Sequence, residues 1–272
     1  MPGFTSYDNL ISMITVSGNV RDISFFKTGA TAQGAGSWQS LWFAAGSPGA
    51  GPTTSPFNSG GTYVSFATGG VIDYNVSTAK RSLISFGAAA TTACTLMVYD
   101  RLEALSFNII TTGIRSLVTQ TLPRYASGIG VQAWIEVSTA TTTTAPIMFI
   151  SGYTNSDGVT GRIGTSLTFP ATATVVGCMM PLPLQAGDVG IQASGALNMY
   201  VSTATSAGTG NLVFLRPLAY IPIAANSWNE RDLVLQLAAL PQIFDGATLG
   251  FAYLASAATA TNFWGQLRTA YA

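Results

Sequence analysis

A chain of 272 residues can bury a large core as one all-β domain, or as a smaller domain with an extended arm. Only 8% of its residues are charged, eleven basic and eleven acidic side chains cancel, and histidine is absent. That balance argues against direct nucleic-acid binding, which needs surplus Lys and Arg, and against chemistry resting on imidazole as base or metal ligand. Near-zero net charge also removes self-repulsion, which favours association with other subunits; a neutral surface of Thr, Ser, Asn and Gln is the alternative.

The first eight residues lack a basic segment followed by an apolar run, so no secretory signal is expected. Tyr7, Leu10, Ile11 and Ile14 fall at helical spacing and predict a short helix, capped by Thr5 or Ser6, with Asp8 in its first turn and Gly18 after its end. Dense β-branched residues over 11–16 leave a strand start as the alternative. Two aromatic islands follow, Ile23-Ser-Phe25-Phe26-Lys27 and Trp38-Gln-Ser-Leu41-Trp42-Phe43, set in Gly, Ser and Pro linker. Such a segment cannot easily build its own core. Residues 1–61 are therefore expected to be an arm that packs on the main domain or on a neighbouring subunit, ahead of a β-sandwich over 62–272.

From Thr62 short β runs recur at fairly even intervals: 63–67, 82–86, 95–100, 107–111, 131–138, 147–153, 167–169, 175–180, 197–201, 212–215, 233–237, 248–254 and 263–267. Many short strands with few helical patterns predict an all-β, antiparallel β-sandwich with jelly-roll or other Greek-key connections. Residues 175–223 hold three of these runs between Pro and Gly-rich turns, a spacing that suits strands folding back on one another. The runs Thr95-Leu-Met-Val-Tyr-Asp-Arg101-Leu and Asn211-Leu-Val-Phe-Leu-Arg216-Pro-Leu look alike, either through duplication or because two strands meet the same packing demand.

Catalytic constellations are scarce. Without histidine there is no Ser/His/Asp or Cys/His arrangement, and no phosphate-binding or dinucleotide Gly motif occurs. Asp100, Glu103, Glu136, Asp157 and Asp188 could supply a carboxylate pair for glycoside chemistry, but spacing places no two of them face to face. No enzymatic activity, cofactor or metal is expected. Asn155-Ser-Asp157-Gly158 and Gln185-Ala-Gly-Asp188 read as turns, with a Ca²⁺ ligand as the lesser alternative. Cys94 and Cys178 sit in apolar runs and read as buried thiols, a disulfide being the alternative. Glu230-Arg-Asp232 reads as a solvated edge or an inter-subunit salt bridge, and the uncharged stretch 246–267 is too polar for a membrane span. Asn75-Val-Ser77 has no glycosylation role without secretion. Arg101, Arg124, Arg162 and Arg216 are candidates for interface ion pairs, with surface solubility as the alternative.

Several stretches resemble a family of tailed-bacteriophage virion proteins: Ser24-Phe-Phe-Lys-Thr28, Ser40-Leu-Trp-Phe-Ala-Ala-Gly-Ser-Pro-Gly49, Leu96-Met-Val-Tyr-Asp-Arg-Leu102, Leu122-Pro-Arg-Tyr125, Met180-Pro-Leu-Pro-Leu-Gln-Ala-Gly-Asp188 and Leu215-Arg-Pro-Leu-Ala-Tyr-Ile-Pro222. These motifs carry packing and turns, not chemistry. The resemblance implies a head decoration or cement protein in the virion, a homo-oligomer with a trimer favoured, whose partner is the major capsid protein. Phe25, Phe26, Trp38 and Trp42, with the four arginines, are the expected contacts. A tail- or fibre-associated module that binds host-surface carbohydrate is the alternative.

Overall fold

The computed structural model describes residues 6–16, 18–32, 34–52, 72–74, 81–117, 122, 124–141, 145–169, 175–192, 197–205, 207–236, 240–244 and 246–271. Two long strands, Cys94–Asn108 and Thr209–Ile223, pair antiparallel along their length and form the spine. On either side lie Gln132–Thr139 with Cys178–Pro181, and Ala247–Ala255 with Ile72–Tyr74. Trp38–Ser40 pairs with both Cys178–Pro181 and Ala247–Ala255, so six of these strands close into a ring. A ring this narrow has to be filled by side chains. Met97, Tyr99, Ala104, Trp134, Met179, Val213, Leu215 and Ala252 fill it, with Trp38 and Tyr220 at its margin.

Side chains alternate along a strand, so the spine's other face points out of the ring and needs cover. Leu96, Val98, Ile221 and Ile223 are covered by a sheet ordered Asn229–Asp232, Arg81–Ala90, Ala260–Tyr271, Val20–Thr31 and Ala45–Ser47. Leu102, Phe107, Leu212 and Phe214 are covered by a second sheet ordered Arg162–Ile163, Ile147–Asn155, Asn198–Thr203 and Gly113–Ser116. Between these two cores lies Asp100, where Arg124 reaches in with Nε and Nη2 at 2.8 and 2.7 Å from the carboxylate. The Thr248 amide donates to the same carboxylate at 3.1 Å.

The all-β sandwich class and the short helix are as expected. The helix spans Tyr7–Ile14, the Ser6 hydroxyl accepts from the Asn9 amide, and Leu10 packs with Ile84 and Ala270. Other expectations need correction. The segment read as an arm supplies a full strand, Val20–Thr31, between Ala260–Tyr271 and Ala45–Ser47, and its aromatic islands help close the core. A boundary at 61/62 therefore does not separate an appended arm from the sandwich. The expected run 95–100 continues unbroken to Asn108, taking in the first two residues of the run expected at 107–111, because Asp100, Arg101 and Glu103 are buried within one strand; residues 109–111 lie beyond its end. Pro217 is accommodated inside Thr209–Ile223 at a register shift, where a ladder amide is dispensable.

The three runs in 175–223 do not pair with one another: Cys178–Pro181 and Thr209–Ile223 flank Gln132–Thr139, and Asn198–Thr203 belongs to the second covering sheet. The two look-alike runs are the spine itself, with Asp100 opposite Arg216 and Arg101 opposite Leu215. Leu233–Gln236 is a helical turn instead of a strand. Asp232 Oδ1 accepts from the Val234 amide at 2.8 Å, and the turn lets the chain pair twice with the edge of Arg81–Ala90. The expected strand at 63–67 and the Asn75 sequon lie outside the described residues.

Candidate functional site: an aromatic sheet face

Half of the expected contact residues are interior. Phe25 is 3% exposed and stacks on Phe251 with ring centroids 4.1 Å apart, and Trp42 is buried with its indole N–H donating to the Pro52 carbonyl. Arg101 stands in the ring, bidentate to Glu136 at 3.2 and 2.7 Å and 4.2 Å above the Trp42 ring. Arg124 holds the seam at Asp100. These four side chains are engaged in holding the fold, which removes them as contacts for a partner. Burial beside the Arg101–Glu136 pair pushes the Tyr99 hydroxyl up to about 12.

Phe26, Trp38, Arg162 and Arg216 remain partly exposed. Arg162 is bidentate to Asp188 at 3.1 and 2.9 Å, and Asn155 and Tyr153 also donate to that carboxylate. Burial alone would raise the pKa of Asp188; the hydrogen bonds from Arg162, Asn155 and Tyr153 outweigh it and hold the carboxyl at about 2. Arg216 donates to the Ile129 carbonyl and lies over the Tyr125 ring at 4.5 Å, beside a hollow of about 380 Å³ that Leu240 and Phe244 also line. Of the carboxylates considered for glycoside chemistry, Asp100, Glu136 and Asp188 each bind an arginine, Glu103 is buried, and Asp157 sits exposed in its turn. Asn155 and Asp157 adopt the expected turn, with the Asn155 side chain accepting from the amides of Asp157 and Val159. Cys94 and Cys178 are free thiols, which burial pushes up to about 12.

A feature not expected from the sequence is the outer face of the first covering sheet. Along it, Ser47, Phe26, Trp264 and Ala89 lie in register across four strands. The next row places Ser24, Gln266 and Gly87 side by side, then Glu230. Phe26 and Trp264 pack at 5.5 Å between centroids and 39° between planes. Trp228 leans over Gly87, where an added Cβ would fall 2.5 Å from the indole Cζ2. Trp228 and Trp264 are 51% and 43% exposed. Together with Ser24, Ser47 and Gln266 the three rings line an open groove of about 450 Å³. One row further, Asp22 and Arg268 form a bidentate pair at 2.8 and 3.2 Å that neutralises itself. A sequence signal existed: Phe263-Trp-Gly-Gln-Leu-Arg268 alternates, and Trp264 shares a face with Gln266 and Arg268 instead of with Phe263 and Leu267.

Neither a known protein-family model nor a curated protein matches this chain. Among solved structures it is similar to the VP2 subviral particle of infectious bursal disease virus, at 9% identity over 93% of this chain and 81% of that one, with a TM-score of 0.23. It is also similar to disulfide-linked pili of Bacillus endospore appendages, at 12% identity over 47% of this chain and 94% of that one, with a TM-score of 0.23. A third likeness is the family 11 carbohydrate-binding module of a Clostridium thermocellum cellulosomal cellulase, at 12% identity over 52% of this chain and 96% of that one, with a TM-score of 0.23. Likenesses with TM-scores this low carry no weight for function. Among the described residues no helix is long and apolar enough to cross a membrane, and no cluster of three or more Cys, Asp or Glu side chains is placed to hold a metal ion.

Proposed function

We propose that this chain is a non-enzymatic structural protein of a tailed-bacteriophage virion, a decoration or cement component that bridges major capsid protein subunits and associates with its own copies, most simply as a trimer. The supporting observation is where its few charges go. Arg101 and Arg124 bind Glu136 and Asp100 inside the fold, Arg162 binds Asp188 at its margin and Arg268 binds Asp22 on the surface. This leaves a surface mainly of hydroxyl, amide and apolar groups in which charged side chains such as Arg21, Asp157, Glu230 and Asp232 are scattered. Such a surface suits close-packed contact with a fixed neighbour, not long-range steering of a mobile ligand. Ile163 on the edge strand Arg162–Ile163 and Ile129, Val159 and Val189 on the adjoining loops, each 49–64% exposed at the end of the second covering sheet, are the apolar groups offered for that contact. Burying apolar area contributes roughly 25 cal/mol per Å², and modest contacts repeated over a shell sum to a large stabilisation.

Quantitative mass spectrometry of purified virions tests the reading. A copy number comparable to that of the major capsid protein supports it, and absence from the particle refutes it. A small multiple of three or six, located at the tail, would favour the second reading, a host-surface carbohydrate-binding module. The exposed aromatic face with its amide and hydroxyl neighbours is the observation that favours this alternative.

A further inference from the structure

We propose that the outer face of the first covering sheet is a binding site for an uncharged glycan, with pyranose rings seated on Trp264 and Trp228 and their hydroxyls on Gln266, Ser24 and Ser47. The inference concerns the isolated protein and holds whichever reading of its place in a particle is correct.

The groove's composition selects the ligand. Its lining contains no ionisable side chain: Ser24, Phe25, Phe26, Ser47, Trp228, Trp264, Gly265 and Gln266. The adjacent Asp22–Arg268 pair is internally neutral. A phosphorylated or sulfated partner therefore meets no cationic side chain in the groove lining and faces the exposed Glu230 beside it, whereas a sugar ring offers C–H groups to an aromatic face and hydroxyls to amides at its edge. Among the described residues, the Gln266 amide, the Ser24 and Ser47 hydroxyls and both indole N–H groups have no hydrogen-bond partner. They are free to meet such hydroxyls. The volume, about 450 Å³, falls in the range of roughly 300–1,000 Å³ typical of small-molecule sites.

Glycine makes the platform. Gly87 carries no Cβ, and one placed there would collide with the Trp228 indole, so this residue lets the ring lie against the sheet while its other face stays open. Beneath Trp264, Gly265 clears the Phe25 ring, with which an added Cβ would collide at 2.1 Å. The rings are thus held by the fold before a ligand arrives, which lowers the entropy lost on binding.

The test uses the full chain, first on an array of neutral glucose, galactose, mannose and N-acetylglucosamine oligomers beside sialylated and sulfated ones, then by titration of the best binder with tryptophan fluorescence. A neutral oligomer is expected to bind and to alter the indole emission. Trp228→Ala and Trp264→Ala should each weaken binding at least tenfold, Gln266→Ala by about threefold, and Ile114→Ser, on the other covering sheet, not at all. Gly87→Ala should weaken it as Trp228→Ala does, through displacement of the ring alone. Thermal unfolding establishes that each variant is folded, and Gln266→Ala carries the test should a tryptophan variant fail that check. Three results overturn the proposal: no neutral glycan bound at millimolar concentration, binding untouched by the folded variants, or a native self-associated species that Trp264→Ala dissolves, which would make a second copy the occupant. The virion copy number is an independent readout, so failure here leaves the proposed structural role standing.

Discussion

Replacing Glu136 with Gln keeps the shape of the ring interior and removes one charge. Arg101 would then stand 0% exposed with its guanidinium opposite a neutral amide. Two unit charges about 4 Å apart attract by about 4 kcal/mol at an effective dielectric constant near 20. Breaking a buried pair by removing one partner costs about 3–5 kcal/mol, because the survivor keeps its desolvation penalty. The Arg101 stack on Trp42 does not rescue the variant, being present in both proteins. The loss is therefore expected to be about 3–5 kcal/mol for Glu136→Gln and of the same order for Arg101→Met. The double variant Arg101→Met/Glu136→Gln has no charge left to strand and is expected to return to within about 1–2 kcal/mol of native. Equilibrium unfolding in urea, monitored by far-UV circular dichroism, measures all four proteins. Additive losses in the double variant, or a loss under about 1 kcal/mol for Glu136→Gln, would refute the view that the pair is a mutually dependent unit sealed in the ring.

Other expectations rest on particular residues. Asp188 is held at about 2, below its ordinary 3.8, so its stabilisation is complete above about pH 4 and is lost as pH falls toward 2; Asp188→Asn should flatten that part of a stability-against-pH curve. Lys27 donates to the carbonyls of Ala44 and Gly49, and burial lowers its ammonium to about 8 from 10.5. The folded state sheds that proton first, so denaturant midpoints should rise between about pH 8 and 10, and Lys27→Met should abolish the rise. Cys178, with its thiol pushed up to about 12, should react with a thiol reagent at pH 8 only at the rate of unfolding. At Gly265 an alanine methyl would collide with Phe25 and with the Gly87 carbonyl, so Gly265→Ala should cost about 1–3 kcal/mol in urea unfolding.

Local patterns were legible where one residue's neighbours in sequence set its environment. The helix at Tyr7–Ile14 comes from spacing and a Ser6 cap, and the turn at Asn155–Gly158 from Asx chemistry, both complete within a few residues. Charged residues obscured strand length. Asp100, Arg101 and Glu103 look like the end of a strand, yet the first two meet partners from positions 124 and 136 and stay within one fifteen-residue strand. The contact candidates failed for the same reason: nothing local tells that Phe25 points to Phe251 while Phe26, its neighbour, points to solvent.

Sequence alone determined the class. Low charge, abundant β-branched and hydroxyl residues and frequent turn residues admit little besides antiparallel strands, because each of those preferences acts within a few residues of backbone. The tertiary structure decided what the strands do. Ring closure depends on three residues, Trp38–Ser40, finding two edges more than a hundred residues downstream, and the aromatic face depends on Phe26, Trp228 and Trp264 arriving from three distant strands or loops to stand over Gly87 and beside Gln266. Register across a sheet fixes which side chains share a surface, and that register is set by the pairing of distant strands.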